Sequence, residues 1–152
     1  MEKLANVAVI YLNDDNGSAP ILWTDVDHVR YRARGNWCLS PVTAIKKDYA
    51  VVVNNCGGAG KEPYIAEVFQ VSGVKKVPRV TPSSKDKIEF FLDRIPVTNE
   101  VLKLRGRPLL AKKVQGDAMG IANGEIRIND DGNLELWRNP TTKGSSAPKR
   151  IA

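Results

Sequence analysis

The sequence predicts an α+β fold: a small curved sheet or β-barrel of five to seven strands with two or three short helices, plus a C-terminal β-hairpin. Three observations support this class. Short apolar, β-branched runs recur along the 152 residues, and residues 49–54 form the strongest of them. Two short segments begin with good helix-capping residues. The turn at residues 130–132 separates two alternating segments, which is typical of a hairpin.

The N-terminal elements are predicted from apolar runs and turn residues. Residues 7–12 (VAVIYL) form a strand that ends in a polar turn, and residues 20–23 are predicted as a second short strand. A helix then begins at Asp25 with Thr24 as its N-cap. Acidic residues in its first turn and arginines near its end suit the helix dipole. Gly35 is expected to end this helix in a left-handed conformation.

The remaining elements follow in chain order. Ser40 followed by proline predicts a second short helix that runs to about Lys47. Strands are predicted at residues 49–54, 64–71 and 87–93, a long surface loop at 73–84, a short helix at 98–104, and the hairpin strands at 125–128 and 133–137. Residues 1–138 are therefore predicted to form a single α+β domain, whereas Thr, Lys, Gly, Ser and Pro predict a flexible basic tail at 139–152.

The charge balance favours an anionic partner. The formal net charge is +6 with a sequence pI near 9.4, and nucleic acid is the commonest partner of such proteins. The positive residues form four groups along the chain, at residues 30–34, 75–79, 103–113 and 143–150. Groups that fold onto one face make a surface that can follow phosphates, whereas scattered groups are ordinary solvated surface. The sequence leaves both arrangements open.

Two further expectations concern the protein's surroundings. No apolar run approaches the roughly 20 residues of a membrane span, so no membrane partner is expected. The first residues lack a signal-peptide pattern, and Cys38 and Cys56 lack CxxC spacing. We therefore expect a cytoplasmic protein with two free thiols.

A phosphate-binding loop is the first catalytic motif to consider, because residues 57–61 (GGAGK) follow an apolar strand. That motif needs a glycine five positions before its Gly-Lys pair and a Ser or Thr after it. Asn55 and Glu62 occupy those two positions. Pro63 then precedes a strand instead of a helix, so a hairpin loop explains the glycines better.

Other catalytic arrangements have few residues to draw on. His28 is the single histidine, so a zinc site would need both cysteines and a distant carboxylate. A Cys-His pair, with Cys38 or Cys56 as nucleophile, and a magnesium site built from the acidic pairs stay open as alternatives. The prediction is no catalytic residue, no metal site and no cofactor.

Trp37 is the aromatic residue with the clearest functional potential. It lies in a turn between the basic residues Arg32 and Arg34 and the helix start at Ser40, with Lys46 further along. An indole in such a turn can stack on a nucleic-acid base, while the neighbouring cations hold phosphate. It can equally plug the end of a barrel. The sequence leaves these two roles open.

A family resemblance rests on short motifs spread over residues 25–71 and beyond. They are the Ala-Arg-Gly-x-Trp turn at 33–37, the helix start at Ser40, strand segments at 48–51, 65–69 and 89–90, and the Gly-containing stretch 113–125. With these motifs the chain resembles the PUA-like superfamily, in particular small EVE-like modules. The resemblance implies a small β-barrel that binds RNA or modified DNA bases, in some members with an extruded base in an aromatic cage.

The resemblance also implies which residues bind. Arg34, Trp37 and Ser40 are the expected nucleic-acid contacts, with Lys112 and Lys113 on phosphate. The expected function is a non-enzymatic module that binds DNA or RNA, as a modified-base reader or as an accessory subunit of a nuclease, defence or phage system. The alternatives are a protein-interaction or inhibitor module that docks on an acidic partner, and a small metal-dependent nuclease or hydrolase.

Overall fold

The computed structural model describes residues 1–13, 20–55, 62–78, 87–110, 120–139 and 147–152. The elements in chain order are β1 (Glu2–Leu12), α1 (Val26–Arg34), α2 (Pro41–Ala44), β2 (Tyr49–Asn54), β3 (Tyr64–Val77), β4 (Lys87–Arg94), a 3₁₀ helix (Glu100–Leu104), β5 (Ile121–Ile128), β6 (Leu134–Arg138) and β7 (Lys149–Arg150).

The described strands form one mixed sheet in the order β4-β3-β2-β1-β5-β6-β7. β1 and β2 are parallel and the other neighbouring strands are antiparallel. The α+β class with one small sheet is confirmed. A closed barrel is not formed by the described residues, because β4 and β7 lie at opposite ends of the strand order.

The parallel pair β1–β2 lies at the centre of the sheet and is covered on both faces. Val7 and Val9 pack on one face of β1, whereas Ala8 and Ile10 pack on the other, and all four are fully buried. A strand covered on both faces is expected to be a continuous apolar run without alternation. This explains why the two runs at residues 7–12 and 49–54 are the clearest strand signals in the sequence.

Different elements cover the two faces of the sheet. We call the side that carries α1 and α2 the helix face, where Val29, Ala33 and Ala44 pack with buried side chains of β1, β2, β3 and β4. On the opposite face, Val101 and Leu104 of the 3₁₀ helix pack with the strands. Each face therefore has its own apolar core.

The ends of α1 differ from the prediction. The N-cap is Asp25, whose carboxylate accepts hydrogen bonds from the backbone N–H groups of Asp27 and His28 at 3.1 and 3.2 Å. The predicted N-cap, Thr24, therefore lies one residue before the observed one. The Asp25 carboxylate reaches these amides, and its negative charge interacts favourably with the helix dipole. Gly35 has φ −18° and is not left-handed, since the chain leaves the helix in an extended conformation.

The predicted strand at residues 20–23 is wrong. The backbone there turns into α1: the Asp25 N–H donates to the Leu22 carbonyl at 2.9 Å, and the Leu22 N–H donates to His28 Nδ1 at 2.8 Å. The backbone groups of Leu22 that a strand would pair with a neighbouring strand are bonded within the turn instead.

The predicted loop at residues 73–84 is wrong in its first part. β3 continues to Val77 and pairs with β4, with a register shift between Val71 and Gly73. Lysines at 75 and 76 indicated a loop in the sequence, but exposed edge hairpins carry lysine readily. Residues 79–86 lie outside the described residues.

The C-terminal residues are also different from the prediction. Residues 140–146 lie outside the described part, but Lys149 and Arg150 pair with β6, and Ile151 and Ala152 are buried in the opposite-face core. The Leu110 N–H donates to the Ile151 carbonyl at 2.9 Å. The expected flexible tail over 139–152 therefore does not hold for its last residues, because two apolar side chains find a core position there.

The hairpin of β5 and β6 is confirmed. Gly132 has φ +82°, a left-handed conformation that favours glycine. The Asn129 side chain accepts hydrogen bonds from the N–H groups of Asp131 and Asn133 at 3.0 and 2.9 Å. These bonds close the turn and fix the pairing of the two strands.

Gly124 of β5 leads to a stability prediction. A Cβ at this position would lie 2.5 Å from the backbone oxygen of Trp137 and 3.1 Å from Val9. Gly124→Ala is therefore expected to destabilise the fold by about 1–3 kcal/mol through overpacking, measured by urea unfolding. Gly73→Ala is the matched control, because its Cβ would meet the exposed Phe91 ring at 3.0 Å, and that side chain can move. Equal costs for the two variants would contradict this account.

Candidate nucleic-acid interface

The segment after α1 extends the sheet at the outer edge of β4. The Trp37 N–H donates to the Ile88 carbonyl and the Ile88 N–H donates to the Trp37 carbonyl, both at 2.9 Å. This two-way pairing places the end of α1 beside β4. It also shows that the backbone groups of Ile88 point away from β3, toward the edge.

Trp37 itself is held by three structural neighbours. Its indole Nε1–H donates to the Ala33 carbonyl at 2.8 Å, where it satisfies an acceptor in the last turn of α1. The half-buried ring packs on the helix-face core. A Cβ on Gly120 would lie 3.2 Å from this ring. These contacts hold the ring between α1, β4 and Gly120.

The three arginines of α1 do not act as one cluster. Arg34 Nη2 donates to Glu89 Oε1 at 2.8 Å, and Arg30 Nη2 lies 3.2 Å from Asp27 Oδ1. Residues four apart lie on the same side of a helix, so Arg30 and Arg34 both face β4, whereas Arg32 lies on a different side. Two of the three cations therefore share a surface.

Ser40 and Lys46 have separate places. The Ser40 hydroxyl accepts a hydrogen bond from the Thr43 N–H at 3.2 Å and donates to Thr43 Oγ1 at 2.8 Å, so it is the N-cap of α2, as predicted. Lys46 is exposed just after α2. The predicted contacts Lys112 and Lys113 lie outside the described residues.

A groove of about 410 Å³ lies between α1 and β4. We call it the α1–β4 groove, and its lining residues are Arg30, Arg34, Ser72, Phe91, Leu92 and Asp93. Phe91 is 43% exposed, and its ring lies over Gly73 on the neighbouring strand. The Ser72 hydroxyl donates to the Phe91 carbonyl at 3.1 Å.

Phe91 is not identified as a candidate binding residue from the sequence, because it lies within an apolar run. The alternation along β4 contains the signal: Ile88, Phe90 and Leu92 are buried, and Phe91 has the opposite phase. The alternation predicts that Phe91 is exposed only when it is already known which face of β4 the core covers.

Lysines extend the cationic surface along the same hairpin. In the register of β3 and β4, Lys75 lies opposite Glu89 and Val77 lies opposite Lys87. Directly opposite residues share a face, and alternate residues of β4 share it too, so Lys75 and Lys87 lie on the face of Phe91. We call this surface the hairpin face.

The basic groups of the sequence do not gather on one side. Arg105 follows the 3₁₀ helix, where its Nη2 lies 3.2 Å from Glu67 Oε1. Arg107 donates to the Leu134 carbonyl. Lys149 lies on β7, at the far end of the strand order from β4. The α1–β4 groove with the hairpin face is thus one basic surface among several.

A second, smaller recess lies beside the groove. We call it the Glu67 cleft; it encloses about 140 Å³ among β3, the end of β4, the start of α1 and the 3₁₀ helix. The Glu67 side chain is only 7% exposed. Burial raises the pKa of this carboxyl, while the charges of Arg105 and Arg94 act in the opposite direction.

The groups considered for catalysis are engaged elsewhere or lie apart. His28 Nδ1 accepts a hydrogen bond from the Leu22 N–H, and Cys38 is a half-buried free thiol. Within the described ranges, no group of three or more His, Cys, Asp or Glu side chains could hold a metal ion. Cys56 and the acidic pair at residues 14–15 lie outside those ranges. Among the helices described, none is long and apolar enough to cross a membrane.

Trp37→Phe separates the structural role of Trp37 from a binding role. The variant keeps an aromatic ring but loses the bond from Nε1–H to the Ala33 carbonyl. We expect a loss of about 1 kcal/mol in the free energy of unfolding, measured by urea denaturation. Nucleic-acid affinity, measured on the folded variant, should stay within about twofold of the wild-type value. A large loss of affinity at unchanged stability would restore Trp37 as a base-stacking residue.

Glu67→Gln tests the buried carboxyl. Because the folded-state pKa of Glu67 is raised above its ordinary value of 4.5, the folded protein holds this proton more tightly than the unfolded chain does. This contribution to stability is present at low pH and is lost as pH rises through the folded-state pKa. Unfolding free energies from about pH 7 down to about pH 4 should therefore show wild type gaining stability relative to Glu67→Gln.

The exposed Glu100 of the 3₁₀ helix supplies the control for this experiment. Glu100→Gln removes one exposed carboxylate by the same substitution and shows the effect of losing that charge alone. A Glu67→Gln curve that stays parallel to wild type over the same range would contradict a raised pKa at Glu67.

Comparisons with known proteins do not assign a family. No model of a protein family matches the sequence, and no curated protein or solved structure matches it either.

Proposed function

We propose that the protein is a non-enzymatic nucleic-acid-binding module that uses the α1–β4 groove and the hairpin face. The observation that carries the proposal is an exposed aromatic ring, Phe91, in a groove that two arginines also line. Proteins that bind single strands combine these two features: a surface that follows the phosphates and aromatic rings that stack on bases.

Phe91 provides the stacking element. The ring is 43% exposed and lies over Gly73, which has no side chain to cover it. Stacking on an aromatic ring stabilises a bound base by about 1–3 kcal/mol and tolerates any base, because every base has a π-face. Phe91 is better suited to this role than Trp37, whose ring is wedged against α1 and Gly120.

Arg30 and Arg34 provide the phosphate contacts. Their present partners, Asp27 and Glu89, are carboxylates on a partly exposed surface. Exposed ion pairs of this kind are worth about 0–1 kcal/mol, so a phosphate can replace a carboxylate at small cost. Each guanidinium also has five N–H donors and can hold a carboxylate and a phosphate together.

The charge of the surface is mixed with a positive excess. Arg30, Arg34, Lys75 and Lys87 contribute four positive charges to this surface, against three from Glu89, Asp93 and the Arg30 partner Asp27. Such a surface favours a polyanion without the strong field of a uniformly basic patch. We therefore expect moderate, salt-sensitive affinity.

A PUA-like relation belongs to this proposal, because the resemblance implies the same class of ligand. Within it, Arg34 keeps its proposed role as a phosphate contact, and Lys112 and Lys113 stay candidate contacts. Ser40 contributes indirectly, as the N-cap of α2. Phe91 replaces Trp37 as the proposed stacking residue. A modified-base reader or an accessory subunit is the finer form of this proposal.

Fluorescence anisotropy with labelled single- and double-stranded DNA and RNA tests the proposal. At physiological salt, about 150 mM, we expect dissociation constants near 10⁻⁴ to 10⁻⁶ M, and the logarithm of the affinity should fall linearly with the logarithm of the salt concentration. Phe91→Ala should weaken single-strand binding about 5- to 100-fold. Arg34→Gln should reduce the salt slope by about one.

Lys149→Ala is the matched control, because this exposed lysine lies on β7 at the opposite end of the sheet. It removes one charge and should leave affinity nearly unchanged. An equal loss of affinity in Lys149→Ala would mean that the effect of Arg34→Gln comes only from the change in net charge. Absence of binding at low salt would overturn the proposal, and equal binding of polyglutamate would favour the alternative of an acidic protein partner.

A further inference from the structure

The Glu67 cleft differs from the α1–β4 groove in size and lining. It encloses about 140 Å³, and its walls are mainly apolar, with Phe69, Ile95 and Leu102 among them. An apolar protein cavity of roughly 150 Å³ is large enough to bind benzene. The cleft therefore has room for about one six-membered ring.

Two arginines line the cleft. Arg105 Nη2 lies 3.2 Å from Glu67 Oε1, and Arg94 Nη2 lies 3.0 Å from Asp27 Oδ2. Both arginine side chains are about half exposed, at 47% and 59%. A guanidinium has five N–H donors, and each of these contacts uses one nitrogen, so donors remain for a further acceptor.

The buried carboxylate determines where Arg105 lies. Glu67 is 7% exposed, so its carboxylate needs a cationic partner, and Arg105 provides it. Arg105 and Arg94 both line the cleft, and the charges of both act on Glu67. An anion at the cleft would be attracted by both.

We propose that the Glu67 cleft binds a small organic anion, with one six-membered ring between the apolar walls and a carboxylate or phosphate on Arg94 and Arg105. The ring is held by burial of apolar surface, and the anionic group by charge-assisted hydrogen bonds that favour bidentate geometry. An organic cation is disfavoured, because the Glu67 carboxylate is already paired and two positive charges lie beside it. This site does not depend on the proposed nucleic-acid surface.

Phenylacetate and phenyl phosphate are the probes for this site. Isothermal titration calorimetry of the full chain should give dissociation constants of about 0.1–1 mM, in the range expected of ligands with about ten heavy atoms. Acetate and inorganic phosphate, which lack the ring, should bind at least about tenfold more weakly, since the apolar part contributes most of the affinity. No binding of either ring compound at about 10 mM would overturn the proposal.

Two variants separate the parts of the site. Arg94→Gln removes a surface charge at the cleft and should weaken phenyl phosphate about 5- to 10-fold, since hydrogen bonds to charged groups are strong. Leu102→Trp should fill the cleft and abolish binding. Thermal unfolding checks that each variant is folded.

Lys103→Gln is the charge-matched control on the same 3₁₀ helix, because Lys103 does not line the cleft. It should leave both ring compounds bound as in wild type. Amide chemical-shift changes in the wild-type protein should centre on residues 67–69, 94–97 and 102–105. Shift changes elsewhere in the wild-type protein would overturn the assignment even if a variant failed to fold. Unchanged affinity in folded Leu102→Trp would also overturn it.

Discussion

The parallel pairing of β1 with β2 is the constraint on which the rest of the structure depends. Val7 lies opposite Tyr49 and Leu12 opposite Asn54 in this register, and the pair is buried on both faces. Parallel neighbours need a crossover connection, and here α1 and α2 provide it on one side of the sheet. The opposite side must then be covered by other segments, and the 3₁₀ helix and the C-terminal residues do so. Both recesses lie where these covering segments meet the β3–β4 hairpin.

The crossover also explains why the candidate interface lies at the edge of β4. α1 ends beside that strand, and Trp37 joins its edge through two backbone hydrogen bonds. The indole N–H then donates to the Ala33 carbonyl in the last turn of α1. This carbonyl therefore has a partner without a left-handed Gly35 at the end of the helix. The aromatic residue and the arginines are neighbours in sequence, but the fold divides their tasks. Trp37 fixes the end of the helix, and Arg30 and Arg34 are left facing the groove.

The sequence predicts the parts of the fold that local patterns determine. The run at residues 49–54, the cap at Ser40 and the turn before Gly132 are all confirmed, because each depends on burial or hydrogen bonding of nearby residues. The candidate site is different, since its main aromatic, Phe91, is exposed only because β3 and β4 present one covered and one open face at that end. Ile151 and Ala152 pose the same problem: their burial depends on a core built by distant strands. Long-range packing decides these positions, because a local pattern such as the alternation along β4 shows which residues share a face but not which face is covered.

The net charge of +6 does not show how the charged side chains are paired, and this pairing differs between the two recesses. Asp27 Oδ1 lies 3.2 Å from Arg30 Nη2, and Asp27 Oδ2 lies 3.0 Å from Arg94 Nη2. Because Arg30 lines the α1–β4 groove and Arg94 lines the Glu67 cleft, this one carboxylate links the two recesses. Its side chain is 59% exposed, so each pair contributes little to stability. Weak pairs of this kind hold the guanidinium groups in place, and in the proposed complex a phosphate would replace the carboxylate. Glu67 is different, because it is buried, and removal of Arg105 would leave its charge without compensation. Exposed ion pairs therefore hold the arginines of the α1–β4 groove only weakly, whereas the buried Glu67 carboxylate anchors Arg105 at the Glu67 cleft.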